Sequence, residues 1–411
     1  MEPARTLVAS YCFPPYSDTA GIVAAKRVWQ RNEPVDVIAN AMDTKRERDY
    51  SLAQIGGDLV QRYAALKTPT AFAAWSSIET WTNAGYQTFL RWQDAQGPYE
   101  RIYSRAQFAA SHFLAAHLKL QSPGMQWLAE FSDPLSHDVL GASRGSALTR
   151  GALSASLQEG VADAGYRVPH NNNLLEWCEI ITFALADQFM FTNETQMNFM
   201  IDHCGDDRLA DRVRERAIVS PHPTLPREFY SMVRTDYELP KNRVNIGYFG
   251  NFYANRGVGL VLDALKLSPS WVRDRVLFHV FTSRPAELNE LVIEKEVEKS
   301  VQVGPYRGYL EFLNLADQMD VLLINDAVTP EGGVNPFLPS KWSDYKGSVA
   351  PTWGIIEEGS TLDKEPKIAY RTPVEHITAI QGTLARIIAD TDSRRKNPPR
   401  HATAEPSSEV A

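Results

Sequence analysis

The chain contains 411 residues, of which 44 % are hydrophobic and 22 % are charged, and its formal net charge is -8. This length predicts two domains of ordinary size, and the composition is typical of a soluble globular protein. The negative net charge argues against nucleic acid as a partner, because such binding depends largely on lysine and arginine neutralising phosphates.

The cysteine and hydropathy patterns argue against two further classes. Cys12, Cys178 and Cys204 are widely spaced and form no Cys-x-x-Cys pair, so neither a disulfide framework nor a zinc site is expected. Prolines end the first apolar run early, and this run is interpreted as a strand rather than a signal peptide. No apolar run approaches the roughly 20 residues of a membrane-spanning helix. We expect a cytoplasmic protein, with a peripheral contact at the inner face of the plasma membrane as an open alternative.

The first half of the chain alternates between apolar strands and amphipathic helices. Residues 6–10 predict a strand, residues 22–31 a helix and residues 34–40 a second strand. This order is typical of a parallel sheet with crossover helices. The alternation continues to a proline-rich segment near residues 216–230, which is interpreted as an interdomain connector. A first Rossmann-like domain is therefore predicted over residues 1–225.

A second alternating unit follows the connector. Strands are predicted at residues 243–252, 276–283, 301–306, 320–326 and 351–357, with helices between them. A second Rossmann-like domain is predicted over residues 240–391, and the polar tail over residues 392–411 is expected to be disordered. The predicted fold class is α/β, with two doubly wound parallel sheets that bind ligand where the strand ends face a cleft.

The segment "GNFYANRG", residues 250–257, follows a predicted strand and precedes a predicted helix. Its glycines allow close approach of the backbone, and the helix start offers N–H groups and the positive end of the helix dipole. Arg256 adds a fixed positive charge. A diphosphate-binding loop is one interpretation, and a tight turn with a solvated arginine is the other. The spacing alone does not decide between them.

The segment "NPFLPSKWSDY", residues 335–345, also leads from a strand toward a predicted helix. Ser340 is expected to cap a helix that starts near Lys341 and to meet a phosphate. Asp344, one turn later, can accept hydrogen bonds from the two hydroxyls of a ribose. The alternative is an N-cap beside an exposed Lys341–Asp344 pair, which contributes only about 0.2–0.5 kcal/mol.

Together these segments resemble glycosyltransferase family 4, whose GT-B fold places two Rossmann-like domains across a cleft. The family pattern Gly-x-Phe-Tyr-x-x-Arg-Gly is similar to "GNFYANRG", and Pro-Ser-Lys-x-x-(Glu/Asp)-Tyr is similar to "PSKWSDY". In the first half, "FPPYSDTAGIVAAKR", "YSRAQFAASHF" and "WLAEFSDPLS" resemble the family's Pro-Pro loop that leads to a glycine, its Ser-Arg segment that leads to Ser-His, and its Asp-Pro turn. The resemblance extends to about Asp390.

The resemblance implies roles by position. It implies that Arg256 pairs with the donor diphosphate and that Asp344 holds the ribose. It implies that His112 lies near the reacting sugar and that Asp133 lies near the acceptor. Five further residues are implied to approach the donor phosphates: Gly21, Gly250, Asn251, Ser340 and Lys341, with Gly250 and Asn251 acting through their amides.

One part of the family pattern is missing. The first acid of the Glu-x7-Glu pattern falls on Pro336, which cannot act as an acid. Glu331 is the candidate catalytic replacement, and loss of that role is the alternative. The lysine that often accompanies the arginine is also not evident. The donor sugar and its nucleotide base therefore stay open.

The activity implied is transfer of a hexose from a nucleotide-sugar donor to a glycan or lipid-linked acceptor. Retention of anomeric configuration and a place in cell-envelope or capsular polysaccharide biosynthesis are implied with it. No cofactor and no metal are expected, because positive groups of the protein would stabilise the leaving diphosphate. A sugar-nucleotide 2-epimerase is one alternative. A non-catalytic partner in a polysaccharide assembly complex is another, and the missing acid favours it.

Five other histidines show no ligand spacing and are interpreted as surface or packing residues. They are His117, His137, His170, His203 and His222. Closure of the two domains is expected about the prolines at positions 221–226.

Overall fold

In a computed structural model, the structure describes residues 4–138, 142–251, 257–329, 333 and 335–397. These residues form two parallel β-sheets, each packed between helices. The predicted α/β class with two Rossmann-like units is confirmed. Residues 220–243 connect the last strand of the first sheet to the first strand of the second.

The strands of the N-terminal sheet are β1 (Thr6–Ala9), β2 (Val35–Asn40), β3 (Val60–Leu66), β4 (Arg101–Ala106), β5 (Gln126–Phe131), β6 (Gln188–Phe191) and β7 (Ala217–Val219). The helices of this domain are α1 (Thr19–Arg31), α2 (Ala53–Gly56), α3 (Trp75–Gln96), α4 (Ala110–Gln121), α5 (Ala152–Asp163), α6 (Leu174–Leu185), α7 (Glu194–Asp202) and α8 (Asp207–Arg216). The strands pair in the order β3-β2-β1-β4-β5-β6-β7. In the register of the sheet, Val8 lies opposite Val37 on one side and Tyr103 on the other.

The strands of the C-terminal sheet are β8 (Val244–Phe249), β9 (Val276–Thr282), β10 (Val301–Pro305), β11 (Val321–Asn325), β12 (Thr352–Ile356) and β13 (Ile368–Pro373). The helices are α9 (Gly259–Leu267), α10 (Ser270–Arg275), α11 (Pro285–Glu294), α12 (Tyr309–Gln318), α13 (Trp342–Tyr345) and α14 (Ile377–Lys396). The strands pair in the order β10-β9-β8-β11-β12-β13.

The central strands are buried along their whole length. Every residue of β1, β8, β9 and β11 is buried, because helices cover both faces of each parallel sheet. The strand order reverses between β1 and β4 in one sheet and between β8 and β11 in the other. Ligands of doubly wound folds bind at such reversal points.

An apolar cluster joins the two domains. It contains Phe13 and Val28 from the first domain and Leu313 and Trp342 from the second. The connector adds a short 3-10 helix, Arg227–Tyr230, which packs against α12. The two sheets are therefore held together by a continuous buried surface.

The C-terminal helix continues further than predicted. Residues 392–396 lie in α14, so the expected start of a disordered tail at residue 392 was wrong. The last turns are tied to the domain by ion pairs from Asp392 to Arg275 and from Arg395 to Asp320. Local composition near the end of the chain gave no sign of these distant partners.

Candidate functional site

A cavity of about 510 Å³ lies between the domains, at the carboxyl ends of the strands. The first domain contributes Thr19 at the start of α1, Arg105 in β4 and Asp133 after β5. The second domain contributes residues 337–340 from the segment before α13. Two of the predicted site residues, Asp133 and Ser340, therefore line one cavity from opposite domains.

Asp344, which was predicted to bind ribose, forms an ion pair across the domain boundary. Lys26 Nζ lies 2.9 Å from Asp344 Oδ1 and 2.8 Å from Ser343 Oγ. The Tyr309 hydroxyl donates to the same carboxylate oxygen at 2.6 Å, and the Tyr230 hydroxyl donates to the Asp344 carbonyl. Burial lowers the pKa of Lys26, although the Asp344 carboxylate favours the charged amine.

The ion pair with Lys26 limits how Asp344 could bind a ribose. Two protein donors occupy Oδ1, and the side chain is only 12 % exposed. The alternative of an exposed Lys341–Asp344 pair was wrong, because Asp344 is buried against Lys26. The carboxylate joins the two domains, and a ribose would have to use its second oxygen.

Lys341 lies against the loop at the end of β8. Its Nζ is 3.9 Å from the centroid of the Tyr248 ring, which is a cation–π contact. Gly250 has a φ of 155°, and a Cβ atom at this position would collide with Lys341 Nζ. The positive φ favours glycine at position 250, and a larger residue would displace the end of the Lys341 side chain. Two predicted donor residues are thus neighbours.

The amide of Gly250 does not point at a phosphate. It donates to the Phe281 carbonyl at 2.9 Å, so the predicted contact through this amide was wrong. The Asn251 side chain is also hydrogen-bonded within the second domain. Its Oδ1 accepts from the Thr282 hydroxyl at 3.2 Å and from the Ser283 hydroxyl at 2.7 Å. These bonds fasten the start of the loop to the end of β9.

Ser340 lines the cavity but does not cap a helix. The helix α13 is a single turn without a side-chain cap. The Trp342 amide already donates to the Pro339 carbonyl at 2.9 Å, and the Ser343 amide donates to the Ser340 carbonyl at 3.2 Å. A capping hydroxyl would need these amides. The predicted cap was wrong because a backbone turn satisfies them first.

Gly21 lies in the first turn of α1. A Cβ atom there would be 3.0 Å from the Phe13 Cα and 3.1 Å from the Cys12 carbonyl, so glycine lets the helix pack on the loop after β1. Asp18 caps this helix by accepting from the Ala20 amide at 2.8 Å. The start of α1 is therefore fixed at the cleft, and the approach of Gly21 to a phosphate stays a prediction.

His112, which was predicted near the reacting sugar, lies in the core of the first domain and is 1 % exposed. Its Nδ1 is 2.8 Å from Ser104 Oγ, and its ring meets the edges of Trp127 and Phe131. Burial, with a smaller effect of the Arg105 charge, lowers the pKa of His112 to about 3. His112 does not line the cavity, so the structure does not support a direct contact with the sugar.

The other predicted catalytic residues, Arg256 and Glu331, lie outside the described residues. Their roles stay predictions. Pro336, at the position of the missing acid, accepts a hydrogen bond across the domain boundary from Asn193 Nδ2 at 3.1 Å. This part of the segment before α13 therefore helps to hold the two domains together.

A buried cluster of charged side chains, none of which was a predicted site residue, reaches the cavity. Glu130 in β5 accepts from Arg27 Nε at 3.0 Å and from the Tyr103 hydroxyl at 2.6 Å. Arg105 Nε is 3.5 Å from the same carboxylate, and Arg105 Nη2 is 3.2 Å from His222 Nε2. Burial would raise the pKa of Glu130, but the two arginine charges and the Tyr103 hydrogen bond outweigh it and lower the pKa.

His222 was interpreted as a surface or packing residue, but its side chain lines the cavity. It is buried, and burial and the neighbouring cations hold its pKa well below the ordinary range. The ring is therefore neutral, and Nε2 is free to accept from Arg105. The available sequence signal was the presence of Arg105 and Glu130 inside otherwise apolar strands, where ionisable side chains are rare unless paired.

Within the part of the chain that the structure describes, no cluster of three or more potential metal-ligating side chains occurs. Among the helices of that same part, none has both the length and the apolar character that a bilayer crossing requires.

The fold is similar to that of several solved structures. A sucrose-phosphate synthase from Thermosynechococcus elongatus covers 95 % of this chain and 91 % of its own length, with a TM-score of 0.61 at 13 % identity. A glycosyltransferase from Rickettsia africae covers 94 % of this chain and 88 % of its own, with a TM-score of 0.56 at 9 % identity. A UDP-N-acetylglucosamine 2-epimerase covers 96 % and 90 %, with a TM-score of 0.51 at 11 % identity.

At the level of sequence, neither a model of a known protein family nor a curated protein matches this chain. The likeness to solved structures at such low identity concerns the fold alone. The chain has the two-domain GT-B fold, in which two parallel-sheet units face each other across a cleft.

Proposed function

We propose that this protein is a glycosyltransferase, which moves a sugar from a nucleotide-sugar donor to an acceptor hydroxyl. The observation that carries the proposal is the convergence of Asp133 and Ser340 on one cavity from opposite domains. Both residues belong to segments with glycosyltransferase-like motifs, and the cavity lies where folds of this type bind ligands. The fold likeness to glycosyltransferases supports the proposal at a coarse level.

In the proposed reaction, the bond between the anomeric carbon and the donor phosphate oxygen breaks. A bond between the same carbon and the acceptor oxygen forms. The nucleoside diphosphate leaves with the electron pair, and the acceptor hydroxyl loses its proton. Positive groups must stabilise the charge that develops on the diphosphate. Lys341 beside Gly250 is one candidate, and Arg256 is the other.

Finer features of the proposal rest on the sequence motifs. They are a hexosyl donor, retention of configuration, a glycan or lipid-linked acceptor and a role in polysaccharide biosynthesis. A cytoplasmic location with a peripheral membrane contact belongs to the same set. We further propose that no metal is required, because protein cations take its place. Turnover should then persist in the presence of EDTA.

A 2-epimerase is the second candidate, because a UDP-N-acetylglucosamine 2-epimerase shares the fold over 96 % of this chain. The cavity also offers a carboxylate, Asp133, which is a suitable group for proton transfer at a sugar carbon. Product analysis separates the two activities. A transferase releases nucleoside diphosphate in the presence of acceptor, whereas an epimerase returns an isomerised nucleotide-sugar.

The first experiment is calorimetric binding of UDP, GDP, ADP and dTDP. We expect one nucleotide to bind the wild type, and to bind Lys341→Gln about tenfold or more weakly through loss of a charge-assisted contact. Lys346→Gln is the matched control, because Lys346 is partly exposed and pairs with Glu365 at 3.9 Å. Binding of a nucleotide without transfer or isomerisation would favour a non-catalytic partner. Failure of all four nucleotides to bind would contradict the proposal.

A further inference from the structure

We propose that the part of the cavity lined by the buried side chains of Arg105 and His222 binds a phosphate group of a substrate. The identity of that substrate rests on the glycosyltransferase function proposed above. The existence of the site rests on the geometry and charge of the buried cluster alone.

Arg27 and Arg105 share Glu130 unequally. Arg27 donates six hydrogen bonds, which range from 2.7 to 3.4 Å. Among the described residues, Arg105 Nε has no hydrogen-bond partner, since the nearest Glu130 oxygen is 3.5 Å away. Its Nη1 reaches the Ala20 carbonyl only at 3.5 Å, and its Nη2 contacts His222 at 3.2 Å. Arg105 thus has unused donor capacity.

This unused capacity lies in a buried place. Arg105 is 2 % exposed and nevertheless lines the cavity. A buried charged donor without adequate partners is costly. The planar guanidinium presents paired N–H groups that match the oxygens of a phosphate. The geometry of Arg105 therefore points to an anion that occupies the cavity in the functional state.

The charge balance of the cluster leads to the same conclusion. Among the described residues of the cluster, three buried cations face two buried carboxylates. The cations are Lys26, Arg27 and Arg105, and the carboxylates are Glu130 and Asp344. Because His222 is neutral, the cluster carries one positive charge in excess. A bound anion would compensate this charge.

Other residues of the cavity limit where the anion can sit. Thr19 begins the 13-residue helix α1, so the positive end of the helix dipole adjoins the cavity. Arg144 also lines it, but so do the carboxylates Asp133 and Asp138. The cavity as a whole is therefore not cationic. The favourable position for phosphate is the buried Arg105–His222 end.

Two sources could supply this phosphate. One is the diphosphate of the nucleotide donor, and the other is a phosphate carried by the acceptor. Arg105 belongs to the first domain and His222 to the connector that follows it, whereas Gly250 and Lys341 of the expected donor site belong to the second. The arrangement favours a phosphorylated acceptor, and the experiment below separates the two sources.

The test is calorimetric binding of inorganic phosphate to the wild type, to Arg105→Gln and to a control. Arg101→Gln is the control, because Arg101 lies in the same strand with its side chain 41 % exposed and pairs with Glu33 at 3.4 Å. We expect the wild type and the control to bind equally, and Arg105→Gln to bind at least about tenfold more weakly. Arg105→Gln leaves two cations and two carboxylates, so we expect it to fold.

The second measurement is the binding of whichever of UDP, GDP, ADP and dTDP binds the wild type. If Arg105→Gln weakens phosphate but not nucleotide, the site serves the acceptor. If it weakens both, the site serves the donor diphosphate. If phosphate fails to bind the wild type, or binds Arg105→Gln equally well, the proposal is overturned. Should Arg105→Gln not fold, Arg105→Lys keeps the charge, loses the planar donor pair and is expected to bind phosphate severalfold more weakly.

The two proposals fail in different ways. If the protein binds phosphate through Arg105 but binds no nucleotide, the phosphate site is supported and the proposed glycosyltransferase function is contradicted. If the protein binds nucleotide, and Arg105→Gln does not weaken phosphate binding, the proposed glycosyltransferase function is supported and the phosphate site is contradicted.

Discussion

Lys26 and Asp344, 318 positions apart in the chain, form a buried ion pair between the two domains, with 2.9 Å between Nζ and Oδ1. The pair lies within the apolar surface that joins the domains, and Ser343 and Tyr309 complete its hydrogen bonds. Any movement of one domain relative to the other either preserves this ion pair or breaks it. The pair therefore contributes to holding the two domains in their observed arrangement.

Removal of the lysine should destabilise the protein strongly. Lys26→Met leaves the Asp344 carboxylate without a counter-charge, and such a loss typically costs about 3–5 kcal/mol. The double variant Lys26→Met with Asp344→Leu removes both charges and should cost less than the sum of the single changes. The free energy of unfolding in urea measures both effects.

A surface pair provides the control for that experiment. Lys266 pairs with Glu296 at 3.0 Å, but the two side chains are 42 % and 76 % exposed. Lys266→Met should therefore cost at most about 1 kcal/mol. Equal losses in Lys26→Met and Lys266→Met would show that the buried pair contributes nothing special to stability.

The ribose role proposed for Asp344 can be separated from its role in the ion pair. Tyr309→Phe removes one donor from Oδ1 but keeps the charge, and it should cost about 0.5–1.5 kcal/mol of stability without changing nucleotide affinity. Asp344→Asn should weaken nucleotide binding as well as stability. Calorimetry and urea unfolding on both variants give the comparison. Unchanged nucleotide affinity in Asp344→Asn would show that Asp344 does not bind the ribose.

Much of the fold could be predicted from the sequence, because central parallel strands are continuous apolar runs between helices. The sequence pattern predicts no strand or helix over residues 41–98, which contain α2, β3 and α3. The edge strand β3 is half-buried along most of its length, so it has neither a continuous apolar run nor a clean alternation. Its position in the sheet is determined by pairing with β2. The local sequence contains little indication of this pairing.

The candidate site was only partly predictable. Loop motifs directed attention to Asp133 and Ser340, and both line the cavity, while their roles there stay predictions. They could not indicate that Asp344 would pair with Lys26, because that contact depends on how the two domains dock. The same limit applies to Arg105 and Glu130, whose charges are compensated through tertiary structure and not through neighbours in the chain.

A methyl group at Gly250 should disturb the expected donor site. Gly250→Ala places a side chain at a φ of 155° and against Lys341 Nζ, so it should cost about 1–3 kcal/mol of stability. Displacement of Lys341 should also weaken nucleotide binding. Gly382→Ala in α14 is the control, because a Cβ atom there meets no described atom within 4 Å. If nucleotide affinity is the same in both variants, Lys341 has no role in donor binding.

The buried histidine His112 should make stability depend on pH. Its pKa is lowered to about 3 in the folded chain, whereas an unfolded histidine has a pKa of about 6.5. Below pH 6.5 the unfolded state therefore binds a proton that the folded state does not. The stability is present in full above pH 6.5. It is lost as the pH falls toward 3, at up to about 1.4 kcal/mol per pH unit.

Urea unfolding between about pH 7 and pH 5 tests this, because most carboxylates stay ionised in that window. His112→Gln should lose stability less steeply with falling pH than the wild type does. His170→Gln is the matched control, since His170 is exposed, and it should keep the wild-type slope. An unchanged slope in His112→Gln would mean that His112 is not held neutral by burial. A neutral His112 packs in the core against Trp127 and Phe131, and contact with substrate is then left to the residues that line the cavity.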